Sequence, residues 1–387
     1  MRRLPELDAL RGLMLVWMAL THLPTIVSVY VNQPFGFVSS AEGFIFLSAL
    51  LTGCIYYRVA ERHGCAVMKR KLFLRTLRLY GYHALLLALV FLVAVRIAAE
   101  GNRPGLANLL SYYFVAGARH AIIDGAVLIY RPSLLDILPM YIIFLLLSPI
   151  LLSLGARIGW RFVVPASFSI WLAAQFGLRE AAHTFMTRHL GMTIPLDQMG
   201  SFDLWAWQML WVLGLWCGAQ WAKRDFPLET WAKNFARPAA VIAPLLLVMR
   251  YAVGRGVELG VFEPMFNKWH LGFVRLIDFA AVAALLICFR PVLKWLAVRP
   301  LVMMGQASLQ VFCAHLFFCF FGLAVMGNAS MVSGWHQVVL LSVTFTALFI
   351  TAKIFCKSAA RTEVNGAPNP LTVTLQRTLT ETTRLPM

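Results

Sequence analysis

Long apolar blocks fill most of this 387-residue chain and limit what it can fold into. Most are close to the roughly 20 residues that a helix needs to cross ~30 Å of hydrocarbon. Because loops and open sheet edges cannot face lipid, the blocks are expected to be α-helical. They cover about 11–31, 37–57, 72–98, 134–154, 162–178, 204–222, 238–254, 271–289, 301–326 and 336–356. The sequence therefore predicts an all-α polytopic membrane protein with about ten transmembrane helices.

The composition agrees with a membrane protein, since 60% of the residues are hydrophobic and 13% are charged. Soluble domains have roughly 45–50% apolar and about 25% charged residues. Ten of the 34 Lys and Arg residues lie in or near the segments predicted to face outward. The other 24 are predicted to lie on the same side of the membrane as the N-terminus. This asymmetry follows the positive-inside rule, so both termini are predicted to be cytoplasmic, in a bacterial inner membrane.

The net charge of +17 is thereby explained without a nucleic-acid partner, because no basic stripe with interleaved aromatic residues is present. The seven cysteines form no CxxC pair and no metal-ligand spacing, so neither disulfides nor a metal site is predicted. One transmembrane domain is expected over residues 1–356. The tail over 357–387 is poor in apolar residues and is predicted to be a disordered cytoplasmic segment.

The first helix carries two titratable side chains, which are costly inside a membrane and therefore suggest function. In ELDALRGLMLVWMALTH, Arg11 and His22 are eleven residues apart. This spacing returns them to nearly the same helix face, about 16 Å apart along the axis. Asp8, three residues before Arg11, is placed to pair with it or orient it. The alternatives are a snorkelling Arg11 at the membrane surface and a His22 that hydrogen-bonds between helices.

Glu42, at the outer start of the second span, is expected to lie at a depth close to that of His22. A carboxylate beside an imidazole would fix its tautomer and stabilise its charged form. A purely structural Glu–His or Glu–Arg pair is the alternative. His315 lies within a later span and is also explained as a core histidine. Arg275 and Asp278 form an i,i+3 pair that would neutralise itself.

These residues stand in segments that resemble a known family. LDALRG, followed by a helix that ends in His22, resembles the R-x10-H signature of the membrane acyltransferase-3 family. SAEGFIFLSALLTG is similar to that family's second-helix motif, although Ala49 follows Ser48 where glycine is usual. Four further segments resemble the OpgC branch, the succinyltransferases of osmoregulated periplasmic glucans. They are LDILPMYIIFLLLSP, FDLWAWQMLWVLGLWCG, RLIDFAAVA and GQASLQVFCAHL.

The resemblance covers about residues 4–356 and implies acyl transfer across a membrane. The donor would be cytoplasmic acyl-CoA, with succinyl-CoA as the best match, and the acceptor a periplasmic glucan or other glycan hydroxyl. Arg11, assisted by Arg75 or Arg78, would hold the CoA phosphates. His22 would act as a general base or as a transient acyl acceptor. Glu42 would orient His22, and Ser48 or His315 would assist the oxyanion.

The predicted catalytic residues are thus His22, Glu42 and Asp8, and the predicted substrate-binding residues are Arg11, Arg75, Arg78, Ser48, His315 and Arg275. No permanently bound cofactor is expected. Two other functions remain open from the residues. One is a proton-coupled transporter that uses His22 and Glu42 as its relay. The other is a non-catalytic partner of a polysaccharide synthase. Glucan-synthesis proteins are further candidate partners of the predicted acyltransferase.

Overall fold

The computed structural model describes residues 4–100, 104–223, 228–326 and 334–364. Within these ranges the chain is helical and has no β-strand, apart from an isolated bridge between Phe35 and Val38. The predicted all-α fold is therefore confirmed. The α-helices are α1 (Pro5–His22), α2 (Val27–Val31), α3 (Ser40–Leu89), α4 (Val95–Glu100), α5 (Pro104–Leu109), α6 (Ser111–Ala116), α7 (Ala118–Ala126), α8 (Ile137–Leu154), α9 (Trp160–Gln175), α10 (Leu178–Leu190), α11 (Leu204–Lys223), α12 (Leu228–Val253), α13 (Glu263–Phe266), α14 (Phe273–Cys288), α15 (Arg290–Leu296), α16 (Arg299–Gln306), α17 (Ser308–Met326) and α18 (Gly334–Val364).

Several helices have the length and apolar composition that a membrane span requires. Five described helical stretches qualify: Ser40–Glu100, Ile137–Gln175, Thr230–Val253, Ser308–Met326 and Gly334–Cys356. In Thr230–Val253 only 11% of the most apolar window is buried, so most of its side chains face outward. Such a face is unfavourable in water and suited to lipid. The chain is therefore a membrane protein.

Helix α3 doubles back on itself at Gly64, whose φ of 83° interrupts the helical geometry. The side chain of Arg75 donates from Nη1 to Thr52 Oγ1 at 3.3 Å and lies 5.9 Å from the centre of the Tyr56 ring. A straight helix would separate positions 52 and 75 by about 35 Å. The fold at Gly64 therefore makes two antiparallel arms, and π-helical Val90–Ala94 extends the second arm into α4.

Helices α8 and α9 also form two arms, which both pack against α11. The π-helical turn Gly155–Gly159 ends at Gly159, where φ is 93° and the direction of the chain changes. From α11, Trp211 Nε1 donates to Ser148 Oγ of α8 at 3.0 Å. Gln208 Nε2 of α11 donates to the Ser167 carbonyl of α9 at 2.8 Å. Helix α11 thus links the two arms.

Small residues let the helices around the site approach closely. A Cβ placed on Gly305 of α16 would lie 1.7 Å from the Asp8 carbonyl oxygen, so the backbones of α1 and α16 are nearly in contact. A Cβ on Gly214 of α11 would lie 2.5 Å from Ala49 Cβ. The close approach at Ala49 is therefore permitted by a glycine on the partner helix.

The predicted end of the membrane domain at residue 356 falls inside α18, which continues to Val364. The rest of the predicted tail, residues 365–387, lies outside the described residues.

Candidate functional site

Helix α1 presents Arg11 and His22 toward α17, as their spacing on one face predicts. Arg11 hydrogen-bonds through Nη2 to Ser308 Oγ at the start of α17. At the other end of α1, His22 Nδ1 lies 3.3 Å from His315 Nε2, with the two rings stacked at a centroid distance of 5.6 Å. Ser308 and His315 are seven residues apart, so they lie on one face of α17. Two polar contacts therefore connect α1 to α17.

The histidine contact assigns the tautomers of both rings. His315 Nδ1 lies 2.8 Å from the Phe312 carbonyl oxygen, which can only accept a hydrogen bond, so this nitrogen carries the proton. In a neutral His315 the Nε2 atom is then an acceptor, and His22 must donate to it from Nδ1. The unprotonated nitrogen of His22 is therefore Nε2. Because the second histidine holds the first, the ring of His22 has a fixed orientation.

Glu42 has a different partner from the one expected. Its Oε1 accepts hydrogen bonds from Nε and Nη2 of Arg275, the first at 2.9 Å. Its Oε2 accepts the Ser39 backbone N–H at 3.0 Å and the Ser39 hydroxyl, which forms a capping box at the start of α3. Both oxygens are thus occupied, and the ring of His22 contacts His315 instead. The observed contact is therefore a buried Glu–Arg pair, which was the alternative interpretation of Glu42.

Asp278 does not contact Arg275 in the way that their i,i+3 spacing suggested. Its Oδ2 accepts the Phe37 backbone N–H at 2.6 Å. Phe37 leads into the start of α3, so Asp278 and Arg275 both fasten α14 to this segment. Glu42, Arg275 and Asp278 are all buried. Together they fix the ends of α3 and α14 beside His22.

A second group of polar residues, here the arginine cluster, lies around Arg11 and comprises Arg11, Thr52, Arg75, Tyr141 and Ser308. Arg75 donates from Nη2 to Tyr141 Oη at 3.0 Å as well as to Thr52. Arg11 lies within electrostatic reach of Tyr141 and Arg75. Its Nε atom is buried without a hydrogen-bond partner among the described residues. Two guanidinium groups are thus held close together by neutral hydroxyl groups.

The other predicted residues are placed as follows. Ser48 is 1% exposed, and its hydroxyl has no hydrogen-bond partner in the described chain. Asp8 Oδ2 accepts a hydrogen bond from Gln306 Nε2 at 3.4 Å and lies within electrostatic reach of Arg11. Arg78 is exposed, one turn beyond Arg75 on α3. Ser48 lies one turn before Thr52 on α3, and the Thr52 hydroxyl donates to the Ser48 carbonyl, so Ser48 adjoins the arginine cluster.

Sequence reasoning missed Lys268, which lies in the segment before α14. It is half-buried and within electrostatic reach of His22, Glu42 and Asp136. Burial lowers the pKa of the Lys268 ammonium, and the carboxylates of Glu42 and Asp136 oppose this effect. Burial also lowers the pKa of Arg131 to about 10, opposed by the Asp136 carboxylate. In the sequence Lys268 is simply one basic residue of an outward loop, and no periodicity points to it.

No group of three or more His, Cys, Asp or Glu side chains in the described ranges is arranged to hold a metal ion. The polar atoms available for a ligand are instead the free nitrogen of His22, the Ser48 hydroxyl, the Lys268 ammonium and the guanidinium groups of the arginine cluster. Because most of these groups are positively charged or can donate hydrogen bonds, they suit an organic anion better than a cation.

The fold and these polar groups define a helical membrane protein with a buried polar site between its helices. Comparison with known families identifies the protein class more narrowly than the fold does. The family described as "OpgC protein" matches residues 3–359, nearly the whole chain, so the chain belongs to that family. Membership indicates a membrane protein with a glucan-modifying, acyltransferase-like function. No curated protein and no solved structure matches the chain.

The buried Glu42–Arg275 pair generates a prediction about stability. Arg275→Met leaves the Glu42 carboxylate buried and unpaired, which typically costs about 3–5 kcal/mol. Glu42→Gln keeps the helix cap but removes the charge that neutralises Arg275. The double variant loses less stability than the sum of the two single variants, because neither charge then remains unpaired. Thermal unfolding of the purified proteins in detergent measures all three.

Arg250→Met is the matched control, since Arg250 Nε donates to a neutral partner, Gln33 Oε1, at 2.8 Å. It should lower the unfolding temperature much less than Arg275→Met. Equal effects of the two substitutions, or additive effects in the double variant, would show that the Glu42–Arg275 contact contributes nothing specific.

Proposed function

We propose that this protein is an inner-membrane O-acyltransferase. It transfers an acyl group, best matched by succinyl, from cytoplasmic acyl-CoA to a hydroxyl of a periplasmic glucan. The observation that carries the proposal is the pair of contacts Arg11–Ser308 and His22–His315 at the two ends of one face of α1. Anion-binding groups and a base about 16 Å apart suit a donor on one side of the membrane and an acceptor on the other. Membership of the OpgC family supports the same reaction class.

In this proposal the arginine cluster binds the CoA portion of the acyl-CoA donor. Phosphate oxygens accept strong, charge-assisted hydrogen bonds from guanidinium groups. Arg11 and Arg75 lie together, and hydroxyl groups are their side-chain hydrogen-bond partners among the described residues. Arg78 and the exposed basic residues at 62–71 would add attraction for the nucleotide portion of the donor. The extended pantetheine arm would then run past Ser48 toward His22.

His22 carries the chemistry in this proposal. Its Nε2 removes the proton from the acceptor hydroxyl, whose oxygen attacks the thioester carbonyl carbon. The carbon–sulfur bond then breaks, the acyl group remains on the acceptor oxygen, and the CoA thiolate takes up the proton from His22. The Ser48 hydroxyl is available to donate to the oxyanion formed during attack. Glu42 positions the site by holding α3 against α14, while His315 orients His22.

The proposed topology has ten spans and both termini in the cytoplasm. The 61 residues of Ser40–Glu100 are about three times the length that crosses hydrocarbon once. The fold at Gly64 divides this stretch into two arms that each suit one crossing. Gly159 divides Ile137–Gln175 in the same way. The remaining six spans would be α1, α11, α12, α14, the α16–α17 segment and α18.

Reporter fusions test this topology. Fusions after Lys71, Lys233 and Arg299 should report the cytoplasm, since the basic residues concentrate there. Fusions within 104–130 and 183–200 should report the periplasm. A reporter pair that is active on only one side of the membrane measures both groups. A periplasmic signal after Lys71 would contradict the assignment of the α3 turn to the cytoplasm and with it the ten-span topology.

Substitution of His22 tests its role as a base. His22→Asn should lower the rate of acyl transfer at least a hundredfold, which is the typical contribution of a positioned general base. His315→Asn should have a smaller effect, because it removes only the orienting partner. Transfer from acyl-CoA to a glucan oligosaccharide by the purified proteins is the measurement.

His83→Asn is the control for this experiment, because His83 is also a buried histidine but contacts the Gly125 carbonyl outside the site. It should retain transfer as long as the variant remains folded. Near-normal transfer by a folded His22→Asn protein would remove His22 from the reaction and favour the proton-coupled transporter.

The proposed binding of acyl-CoA by the arginine cluster generates a separate prediction. Arg11→Lys keeps the charge but loses the planar fork of donors, so it should weaken the affinity for acyl-CoA more than it slows transfer at saturating donor. Added salt should weaken the variant further, because a point charge is screened more easily than paired hydrogen bonds. Donor binding and transfer rates across salt concentrations provide the test, with exposed Arg237→Lys as control. Unchanged affinity with slower transfer would instead assign Arg11 to orientation of α1.

A further inference from the structure

Lys268 lies in a segment that neighbouring helices hold firmly. Trp207 Nε1 of α11 donates to the Trp269 carbonyl at 3.0 Å. Two side chains of α9 donate to the next carbonyls: Gln175 Nε2 to His270 at 2.8 Å, and Trp171 Nε1 to Leu271 at 2.9 Å. The position of Lys268 is therefore set by α9 and α11 and not by a freely moving loop.

Further contacts fasten the same segment to the start of α3. The ring of Phe266, two residues before Lys268, packs against Phe37 with centroids 4.7 Å apart. Phe37 is close in sequence to Glu42, which binds Arg275 on α14. His270 Nδ1 lies 3.2 Å from Asp203 Oδ2, and this hydrogen bond raises the pKa of His270. The segment thus holds Lys268 near the start of α3, within electrostatic reach of His22 and Glu42.

The ammonium of Lys268 has no carboxylate within ion-pair distance among the described residues. Its contact within the protein is the face of the Trp269 ring, at 4.9 Å. The two nearby carboxylates have closer partners. Glu42 is bound by Arg275 and Ser39, and Asp136 Oδ2 accepts the Ser201 backbone N–H at 3.1 Å. A half-buried ammonium retains its donors for an anionic ligand beside His22.

We propose that Lys268 binds the free carboxylate of a dicarboxylic acyl group and so selects succinyl-type donors over neutral ones. The inference rests on the proposed acyl transfer. With the thioester carbonyl at His22, a four-carbon diacid extends its second carboxylate about 5 Å beyond the reacting carbon. Among the described residues, Lys268 is a cation within electrostatic reach of His22 that has no carboxylate within ion-pair distance. Arg275 cannot take this role, because its guanidinium is engaged by Glu42.

The test compares two donors of equal length, succinyl-CoA and butyryl-CoA, which differ in the terminal carboxylate. The full-length protein is reconstituted in lipid nanodiscs, and transfer to a glucan oligosaccharide gives kcat/KM for each donor. Lys268→Met should lower the ratio of succinyl to butyryl transfer about tenfold to a hundredfold, the value of a hydrogen bond to a charged group. Lys268→Arg keeps a cation and should retain most of the ratio.

The matched control is Arg119→Met, which removes an exposed positive charge from α7 and should leave the ratio unchanged. Unfolding temperatures establish that each variant is folded, and because each ratio is measured within one variant, a partial loss of folded protein cancels. An unchanged ratio in Lys268→Met overturns the assignment. An equal loss for both donors also overturns it, since Lys268 would then act on the reacting carbonyl. If the wild-type protein transfers neither group, the proposed function itself fails.

Discussion

The buried ion pair between Glu42 and Arg275 determines how the polar site is arranged. Removing two charges from water is costly, and the pair is tolerated because Arg275 donates twice to one carboxylate oxygen while Ser39 satisfies the other. The pair fixes the start of α3 to α14, and Asp278 strengthens the same junction through the Phe37 backbone. Both oxygens of Glu42 are occupied, and His22 hydrogen-bonds to His315. The ring of the proposed base is therefore oriented by His315 and not by the carboxylate that the sequence suggested.

The sequence predicted the face of α1 correctly but not the partners of its residues. The eleven-residue spacing places Arg11 and His22 on one side, and both contact α17. Helical periodicity cannot identify which of several helices lies opposite, because those contacts join residues almost 300 positions apart. Ser308 could have been found, since it lies two turns before His315 on the same face. The proximity of Lys268 to His22 and Glu42 could not have been predicted, because it depends on the tertiary fold and not on local sequence.

Hydropathy is weakly informative for two of the helices that carry the site, α1 and α14. Helix α1 contains Glu6, Asp8 and Arg11, and α14 is only 16 residues long and carries Arg275 and Asp278. Neither α1 nor α14 is among the five described stretches that are long and apolar enough to span a membrane, whereas Thr230–Val253, most of whose side chains face outward, is one of them. The difference has a physical cause. A helix surrounded by other helices has polar partners available, whereas one that faces lipid does not.

The placement of an unpaired cation beside His22 also bears on how an anionic acyl group would cross the membrane. A carboxylate in the hydrocarbon region is strongly disfavoured unless a cation or hydrogen-bond donors accompany it. In the proposed reaction, the arginine cluster supplies cations for the CoA phosphates and Lys268 supplies one for the carboxylate of the acyl group. A neutral acyl group would need no such cation at the far end. On the proposed acyl transfer, this distribution of positive charge favours a donor with two anionic ends over one whose charge lies only on CoA.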